Sequence, residues 1–451
     1  MINLKELSLL KNFIGTTDRL MNVNLQLVTD NRLLTDNDIF IAIVGKKFNP
    51  LEHLDKVYES GCRFVIYEKN DANDNLVQGH IEKLVFVKVK NIEEFIQEAG
   101  KVVASKFKNR GGSIIAISGS NGKTTTKEML FHILSKSAGD QRVICTQKNF
   151  NNHLGVPFTL FQINEETKYA IVELGSNHPG EIKVLCEILK PQYGVTTNIG
   201  DTHLEFFQNR ENVFKEEGIL HKYAGTKFFL NMDDELLSTI APQENLHSYG
   251  ITSNQEKLGF EFNSVSINKV VVKNNNITGQ HNFYNLAVAF IIAREVLEDP
   301  SEIQEHAETF IPTKNRSEWL SVKNQEIYLD AYNANPSSMI LAVKGFADHL
   351  GSIGAKQSES CLIIGDMNEL GVDAARYHEA LGESLNKFKF GKIIFVGRHA
   401  SDYDKKFSGS SILLNTSIEV KNLYNECIAE YKYVFIKGSR SLQLETILDI
   451  S

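Results

Sequence analysis

The chain has 451 residues, too many for one ordinary domain, and its net charge of −8 with dispersed Lys and Arg excludes a basic nucleic-acid-binding stripe. The five cysteines, Cys62, Cys145, Cys186, Cys361 and Cys427, are odd in number and far apart, without metal-ligand spacing, as expected of reduced core thiols. Met1–Glu6 carries no apolar leader and the longest apolar run, Leu286–Ala293, is too short to cross a bilayer, so a cytoplasmic protein without a membrane partner is expected.

In chain order, periodicity predicts a helix over Leu4–Phe13, strands at Asn24–Val28 and from Asp38 to Gly45, and a helix near His53–Ser60. Strands at Arg63–Tyr67 and Leu84–Val89 and a helix over Ile92–Lys108 follow. The polar stretch Lys106–Gly112 ends in two glycines and marks a boundary, giving a small N-terminal α/β domain at 1–110. From Ser113 strands alternate with helices: Ile114–Ser118, Arg142–Thr146, Tyr169–Leu174, Gly194–Asn198 and Lys227–Asn231 suit a parallel sheet. Gly259–Asn276 reads as an antiparallel ribbon closed by Asn274-Asn275-Asn276, and Asn285–Leu297 as a long apolar helix. Composition changes again near Ile311-Pro312-Thr313, which bounds a central domain at 111–312. The strands Ile327–Asp330, Cys361–Gly365, Lys392–Val396 and Tyr433–Lys437 then predict a doubly wound, Rossmann-like unit at 313–451. The fold class expected is therefore α/β in three domains.

Ser118-Gly119-Ser120-Asn121-Gly122-Lys123-Thr124-Thr125-Thr126 follows a β-branched strand and opens a helical run from Thr125 to Leu134. Strand, glycine turn and helix N-terminus form the geometry in which backbone N–H groups wrap phosphate oxygens. Lys123 would reach the β- and γ-phosphates and the Thr124 hydroxyl a magnesium ion. The loop reads G-x-x-G-K-T, shorter than the general phosphate-loop pattern because Ile117 stands where that pattern has its first glycine, and it is no dinucleotide fingerprint. Three polar clusters at strand ends accompany it. The amides of Asn149–Pro157, Asn151 and Asn152 among them, suit the orientation of a polar substrate or a plain loop. Glu173 is a candidate Mg²⁺ ligand or a solvated acid. His203, within Thr197–Glu205, is a candidate metal ligand or a surface histidine.

Taken together, G-S-N-G-K-T-T-T-K-E-M (119–129), N-F-N-N-H-L-G-V-P (149–157), E-L-G-S-N-H-P-G-E-I (173–182) and N-I-G-D-T-H-L-E (198–205) resemble the Mur ligase family. So do G-Q-H-N-F-Y-N (279–285), N-R-S-E (315–318), D-A-Y-N-A-N-P-S-S-M (330–339), G-D-M-N-E-L-G (365–371) with His378, and K-G-S-R (437–440). Within the family they resemble the type that joins D-alanyl-D-alanine to UDP-N-acetylmuramoyl-tripeptide. The resemblance implies a three-domain, ATP- and Mg²⁺-dependent amide ligase of peptidoglycan precursor synthesis, acting through an acyl phosphate, monomeric, with small-molecule substrates. It implies nucleotide contacts by Gly119, Ser120, Asn121, Gly122, Lys123, Thr124 and Thr125, by Asn282 at adenine, Asp330 at ribose and Arg316 at the phosphates. Metal ligation would fall to Thr124, Glu173 and His203, and catalysis to Lys123, Glu173, His203 and Arg316. Asn151, Asn152, Asn333 and Asn335 are expected at the substrate.

Two departures matter. The family's carbamylated lysine lies in a run resembling V-x-K-x-K-G-E, whereas Val213-Phe214-Lys215-Glu216-Glu217-Gly218-Ile219 puts Glu217 at that place. Glu217 is expected to support the metal directly; the alternative is a helix-surface acid. In the N-terminal domain, Thr29-Asp30-Asn31-Arg32 resembles the D-S-R stretch that meets the uridine-diphosphate end, with Asp30 and Arg32 the candidates, but the family's D-G-H is replaced by Asn49-Pro50-Leu51. A Mur-like ligase acting on a different nucleotide-linked acceptor therefore stays open, whereas Lys123, Thr124, Glu173, His203, Arg316 and Asp330 together argue against a nucleotide-binding module without catalysis.

Overall fold

In the computed structural model, which describes residues 2–16 and 24–448, three sheets follow one another along the chain. The first has six strands in the order Ile2–Asn3, Asn24–Val28, Asp38–Ala42, Phe64–Glu68, Val85–Val89 and Phe13–Thr16. Its four inner strands are parallel and its two edges antiparallel. The first helix is shorter than its sequence suggests, covering Leu4–Leu7 only. Leu4 and Leu7 are buried but Leu9 is 84% exposed, so the apolar stripe stops after one turn and Phe13 pairs with Val89 at the sheet edge instead. A helix over Asp71–Gln78 was not expected; its Asn- and Asp-rich start reads as a turn, but the Asn70 side chain caps it.

The second sheet carries the phosphate loop. Its nine strands run Val270–Lys273, Ser264–Ile267, Glu256–Glu261, Leu246–Gly250, Lys227–Asn231, Tyr193–Thr196, Ser113–Ser118, Tyr169–Glu173 and Val143–Cys145. Ile114, Ile115, Ala116 and Ile117 are all fully buried, which explains the unbroken apolar run of the strand that feeds the loop. Ile115 and Ile117 belong to one core with Met129, Leu130 and Phe290, whereas Ile114 and Ala116 belong to another with Phe107 and Leu185. Helices therefore cover both faces, and the polar ends of the strands are left to form a site. The expected ribbon is a three-stranded meander, Glu256–Glu261, Ser264–Ile267 and Val270–Lys273, antiparallel within an otherwise parallel sheet. Its second turn is made by Asn268, at φ +54°, and Asn274–Asn276 follow the last strand rather than closing it. There the Asn274 amide donates to the carbonyls of Ala307 and Phe310, which ties the meander to the chain ahead of the third sheet.

The third sheet runs Glu318–Val322, Gln325–Asp330, Tyr433–Lys437, Ser360–Gly365, Lys392–Val396 and Ser411–Leu414, parallel except for its first, antiparallel pair. The turn after Ser360–Gly365 is held from several sides. Asp366 accepts the N–H groups of Arg398 and His399, and Met367 N–H donates to His378 Nε2 at 3.0 Å. Because Nε2 accepts, Nδ1 carries the proton and donates to the Ala374 carbonyl at 2.6 Å.

His378 is thus a neutral, fully buried strut, and burial above all, with His399 beside it, pushes its pKa down to about 4. A histidine depressed from 6.5 stabilises the fold fully above the unfolded value, and that contribution is lost as pH falls from 6.5 through 4. His281 shifts the same way, also to about 4 through burial. Urea midpoints are expected to fall between pH 7 and pH 4, with His378 accounting for up to about 3 kcal/mol. In His378→Gln the pH-dependent loss should shrink by that share; an unchanged profile would show that His378 is not the titrating strut.

Candidate functional site

The loop sits where strand order dictates. Ser113–Ser118 has Tyr169–Glu173 on one side and Tyr193–Thr196 on the other, so Glu173 and Thr197 flank its end. Gly119 (φ +121°) and Gly122 (φ +80°) adopt conformations that L side chains avoid. A Cβ on Gly119 would stand 2.2 Å from Thr197 Oγ1, and one on Gly122 2.5 Å from Asn285 Oδ1, so both positions are closed to larger residues. Gly122 caps the helix Lys123–Ala138 without a side chain, leaving that N-terminus to an anion.

Around it lies a cavity of about 910 Å³, lined by Ser120–Thr125, by Asn151, Asn152, Glu173, His203 and Asn282, and from the third sheet's side by Arg316, Asp330, Asn333 and Glu369. Thr124 Oγ1 donates to Glu173 Oε2 at 2.9 Å, and Asn151 Nδ2 donates to Oε1 at 3.1 Å. The Glu173 backbone is fixed in turn by Thr146 Oγ1, and the buried Lys127 ammonium stands 4.0 Å from its carboxylate. A hydroxyl and a carboxylate, completed by phosphate oxygens and water, are donors that suit magnesium. Among the described residues no group of three or more His, Cys, Asp and Glu side chains is placed to hold a metal.

The second and third sheets meet at this cavity. Asn335 Nδ2 donates to Asn121 Oδ1 at 2.7 Å and Asn121 Nδ2 to Ser337 Oγ at 3.1 Å, seating the start of the helix Pro336–Ser352 on the phosphate loop. His203 Nδ1 lies 2.6 Å from Glu369 Oε2. Asp330 is held by the buried Lys437 at 2.5 Å, and Arg316 lies 3.7 Å over the Tyr332 ring. Asn282 is buried, its amide on the Thr278 carbonyl at 2.8 Å. Asn152 accepts the N–H groups of Leu154 and Gly155, Asn333 accepts that of Ala334, and Asn335 caps its helix, so these amides shape backbone as well as the site.

Gly119 and Asn335 adjoin the cavity without being among its lining, and three further expected site residues lie elsewhere. Asp30 and Arg32 are not among the cavity's lining; Arg32 is paired with Asp30 at 2.6 Å, and that bond holds the Asp30 carboxyl down to about 2. Glu217 is neither a surface acid nor a cavity residue. It is 1% exposed behind the loop, accepting Gly119 N–H on Oε2 at 2.8 Å, with Oε1 3.9 Å from Lys123 Nζ. Its backbone carbonyl also receives the hydroxyls of Ser118 and Thr196. This is a brace for the loop, and Lys123, donating to the Gly119 carbonyl, is folded onto the same corner. Sequence reasoning missed Glu369 and Lys437 as individual residues, and it missed Asp233. The last stands just beyond the strand Lys227–Asn231, a strand-end signal like that of Glu173, and accepts the Tyr284 hydroxyl at 2.7 Å.

Comparison with known proteins points to one family. Residues 117–293 match the Mur ligase middle domain and residues 315–439 the Mur ligase, glutamate ligase domain. The UDP-N-acetylmuramoyl-tripeptide--D-alanyl-D-alanine ligase of Rickettsia prowazekii is 30% identical over 91% of this chain and 92% of its own length. The chain belongs to the Mur ligase family. It is accordingly an ATP-dependent ligase with a three-domain α/β fold. The crystal structure of MurF from Acinetobacter baumannii superposes with a TM-score of 0.81 at 25% identity, covering 99% of this chain and 98% of that one. MurF from Thermotoga maritima, solved in complex with ADP, shares the fold with a TM-score of 0.77 at 22% identity, covering 94% and 96%.

If Glu217 braces the loop, its loss acts on nucleotide binding and not on the metal requirement. In Glu217→Gln the KM for ATP is expected to rise about tenfold, since a charge-assisted hydrogen bond of roughly 1.5–3 kcal/mol is weakened. The Mg²⁺ concentration for half-maximal rate should stay within twofold of wild type; a shift in that concentration with an unchanged KM for ATP would make Glu217 a metal ligand after all.

Proposed function

We propose that this ligase joins D-alanyl-D-alanine to UDP-N-acetylmuramoyl-tripeptide in peptidoglycan precursor synthesis, with hydrolysis of ATP to ADP and phosphate. The observation that carries the reading is the shared cavity, in which the phosphate loop with Thr124 and Glu173 faces Arg316 and Asp330 across the junction of two sheets. End-to-end likeness to the Rickettsia enzyme supports the substrates. In this reading residues 1–110 hold the UDP-linked acceptor, 111–312 hold ATP, and 313–451 bring ribose and phosphate contacts together with the incoming dipeptide. The enzyme works as a cytoplasmic monomer; no helix among the described residues is long and apolar enough to cross a membrane.

The chemistry asked of the site follows from charge. A carboxylate is a poor electrophile, and its oxygen must approach the γ-phosphoryl group, itself an anion. Lys123, the loop N–H groups and Arg316 supply positive charge at that meeting point, and Asn282 and Asp330 fix the nucleoside. Bound through Thr124 and Glu173, Mg²⁺ would neutralise further phosphate charge, as it does wherever it accompanies a nucleoside triphosphate. Transfer to the carboxylate gives an acyl phosphate and ADP. The dipeptide's amine then adds to the acyl carbon, loses its proton, and phosphate departs as the amide forms. Between the two steps the acyl phosphate must be kept from water, a task suited to a cavity lined from both sheets.

A different nucleotide-linked acceptor is the second reading, favoured by Asn49-Pro50-Leu51 standing where the family's N-terminal domain has D-G-H. Phosphate release decides. Turnover is expected only when ATP, Mg²⁺, UDP-N-acetylmuramoyl-tripeptide and D-alanyl-D-alanine are all present, and Lys123→Ala should lower it at least 100-fold, on the order of 3 kcal/mol of transition-state stabilisation. ATP binding without turnover on this acceptor would keep the ligase and discard the acceptor.

A further inference from the structure

The contact between His203 and Glu369 has no counterpart in the roles assigned above. We propose that Glu369 is a positioning residue, a latch through which the arrival of the third-sheet domain fixes His203 at the reacting centre. The inference rests on the ATP-site reading and not on the identity of the acceptor.

Glu369 is delivered by a turn that belongs rigidly to its own domain. Asp366 and Met367 are held as described, Asn368 N–H donates to Ser439 Oγ at 3.0 Å, and Asn368 Nδ2 donates to Ser441 Oγ at 3.0 Å. Nothing in that set ties Glu369 to the second sheet, yet its carboxylate meets His203 at 2.6 Å and its carbonyl accepts Glu205 N–H at 3.1 Å. Two residues on, Gly371 comes so close that a Cβ there would stand 3.1 Å from Glu205 Cα. His203 (φ +49°) and Glu369 (φ +62°) are both left-handed without being glycine, a conformation that persists where surroundings impose it. The two strained residues face each other across the junction and line the cavity that holds Lys123.

The consequence is mechanical. A turn fixed on one domain cannot follow the other when they separate, so the His203–Glu369 contact belongs to the closed arrangement. Nδ1 stands 2.6 Å from the Glu369 carboxylate as an ion contact, not as an aligned hydrogen bond, which leaves Nε2 as the ring nitrogen for the site and lets closure set the place of the imidazole. Linkage makes the relation reciprocal: whatever binds the ordered His203 favours closure, and closure favours its binding.

The test uses the full-length enzyme and its single tryptophan. Trp319, on the first strand of the third sheet, donates its indole N–H to Thr278 Oγ1 of the central domain at 2.7 Å, so its fluorescence reports the junction. Wild type is titrated with a non-hydrolysable ATP analogue and Mg²⁺, following Trp319 emission and the radius of gyration by small-angle scattering. Glu369→Ala is expected to bind the analogue within about threefold of wild type, to compact less, and to lose about tenfold in kcat, within the range of ordinary coupling energies. Glu369→Gln, which keeps the side chain's length and an oxygen facing Nδ1 but not the charge, should recover part of the loss. Gly371→Ala, which wedges the junction and leaves both side chains in place, should weaken compaction in the same way. In a His203→Ala background Glu369→Ala should add less than twofold. Wild-type compaction and kcat in Glu369→Ala, or losses that multiply in the double variant, would overturn the latch. A wild type that fails to bind the analogue would overturn the ATP reading itself.

Discussion

A carboxylate buried beneath the phosphate loop is the interaction on which the site depends. Glu217 is 1% exposed and would be costly to bury alone, since an unpaired charge in the interior loses its hydration without compensation. Here it receives Gly119 N–H, and Lys123 stands 3.9 Å away. The loop is thereby bent into an anion-binding shape before any nucleotide arrives, and the left-handed glycines are held against the strain of a tight turn. Preorganisation of this kind spends folding energy so that binding need not pay for ordering the loop. The arrangement also keeps the Lys123 ammonium at the loop, folded against the Gly119 carbonyl.

From that fixed point the other functional groups are placed by strand order. Tyr169–Glu173 and Tyr193–Thr196 flank the strand that feeds the loop, so their ends bring Glu173 and Thr197 to it without long side chains or special loops. Buried branched residues on both faces of the sheet make those strand ends stiff. Each buried Ile is worth roughly 1.5–3 kcal/mol against exposure, so the strand's register cannot slip by a residue without turning core side chains into the site.

This explains what was legible in the sequence. The loop, the helix after it and Glu173 announce themselves because their meaning is local: a few adjacent residues contain both the geometry and the chemistry. The strand Lys227–Asn231 was read to its ends for the same reason, being an apolar run bounded by polar residues. Lys437 and Glu369 were quoted only inside longer motifs, since the partner of each is far along the chain; Asp330 is 107 residues from Lys437. Glu217 shows the limit differently. Its place in the chain was noticed, but sequence position cannot say whether a carboxylate looks into a cavity or away from it. That depends on the helix Arg210–Glu217 ending directly beneath Ser118 and Thr196, a relation between three separated segments. The helix Leu4–Leu7 was read too long and the short Asn70-capped helix went unread because capping and exposure override weak periodicity over so few residues.

The hydrogen bonds that cross the junction are polar and individually small. Asn121 with Asn335 and Ser337, Trp319 with Thr278, and Thr313 with Glu128 at 2.8 Å are each of a type worth roughly 0.5–1.5 kcal/mol net, more where charge is shared, and His203 adds an ion contact with Glu369. Contacts of that size can be made and broken at the cost of a ligand's differential affinity, which is itself only a few kcal/mol. A ligase that holds an acyl phosphate needs that balance. A junction sealed by a large apolar core would exclude water but trap the product, whereas one without specific contacts would let water in ahead of the amine. Small polar bonds placed on the groups that handle phosphate let the reacting molecules themselves decide when the cavity is shut.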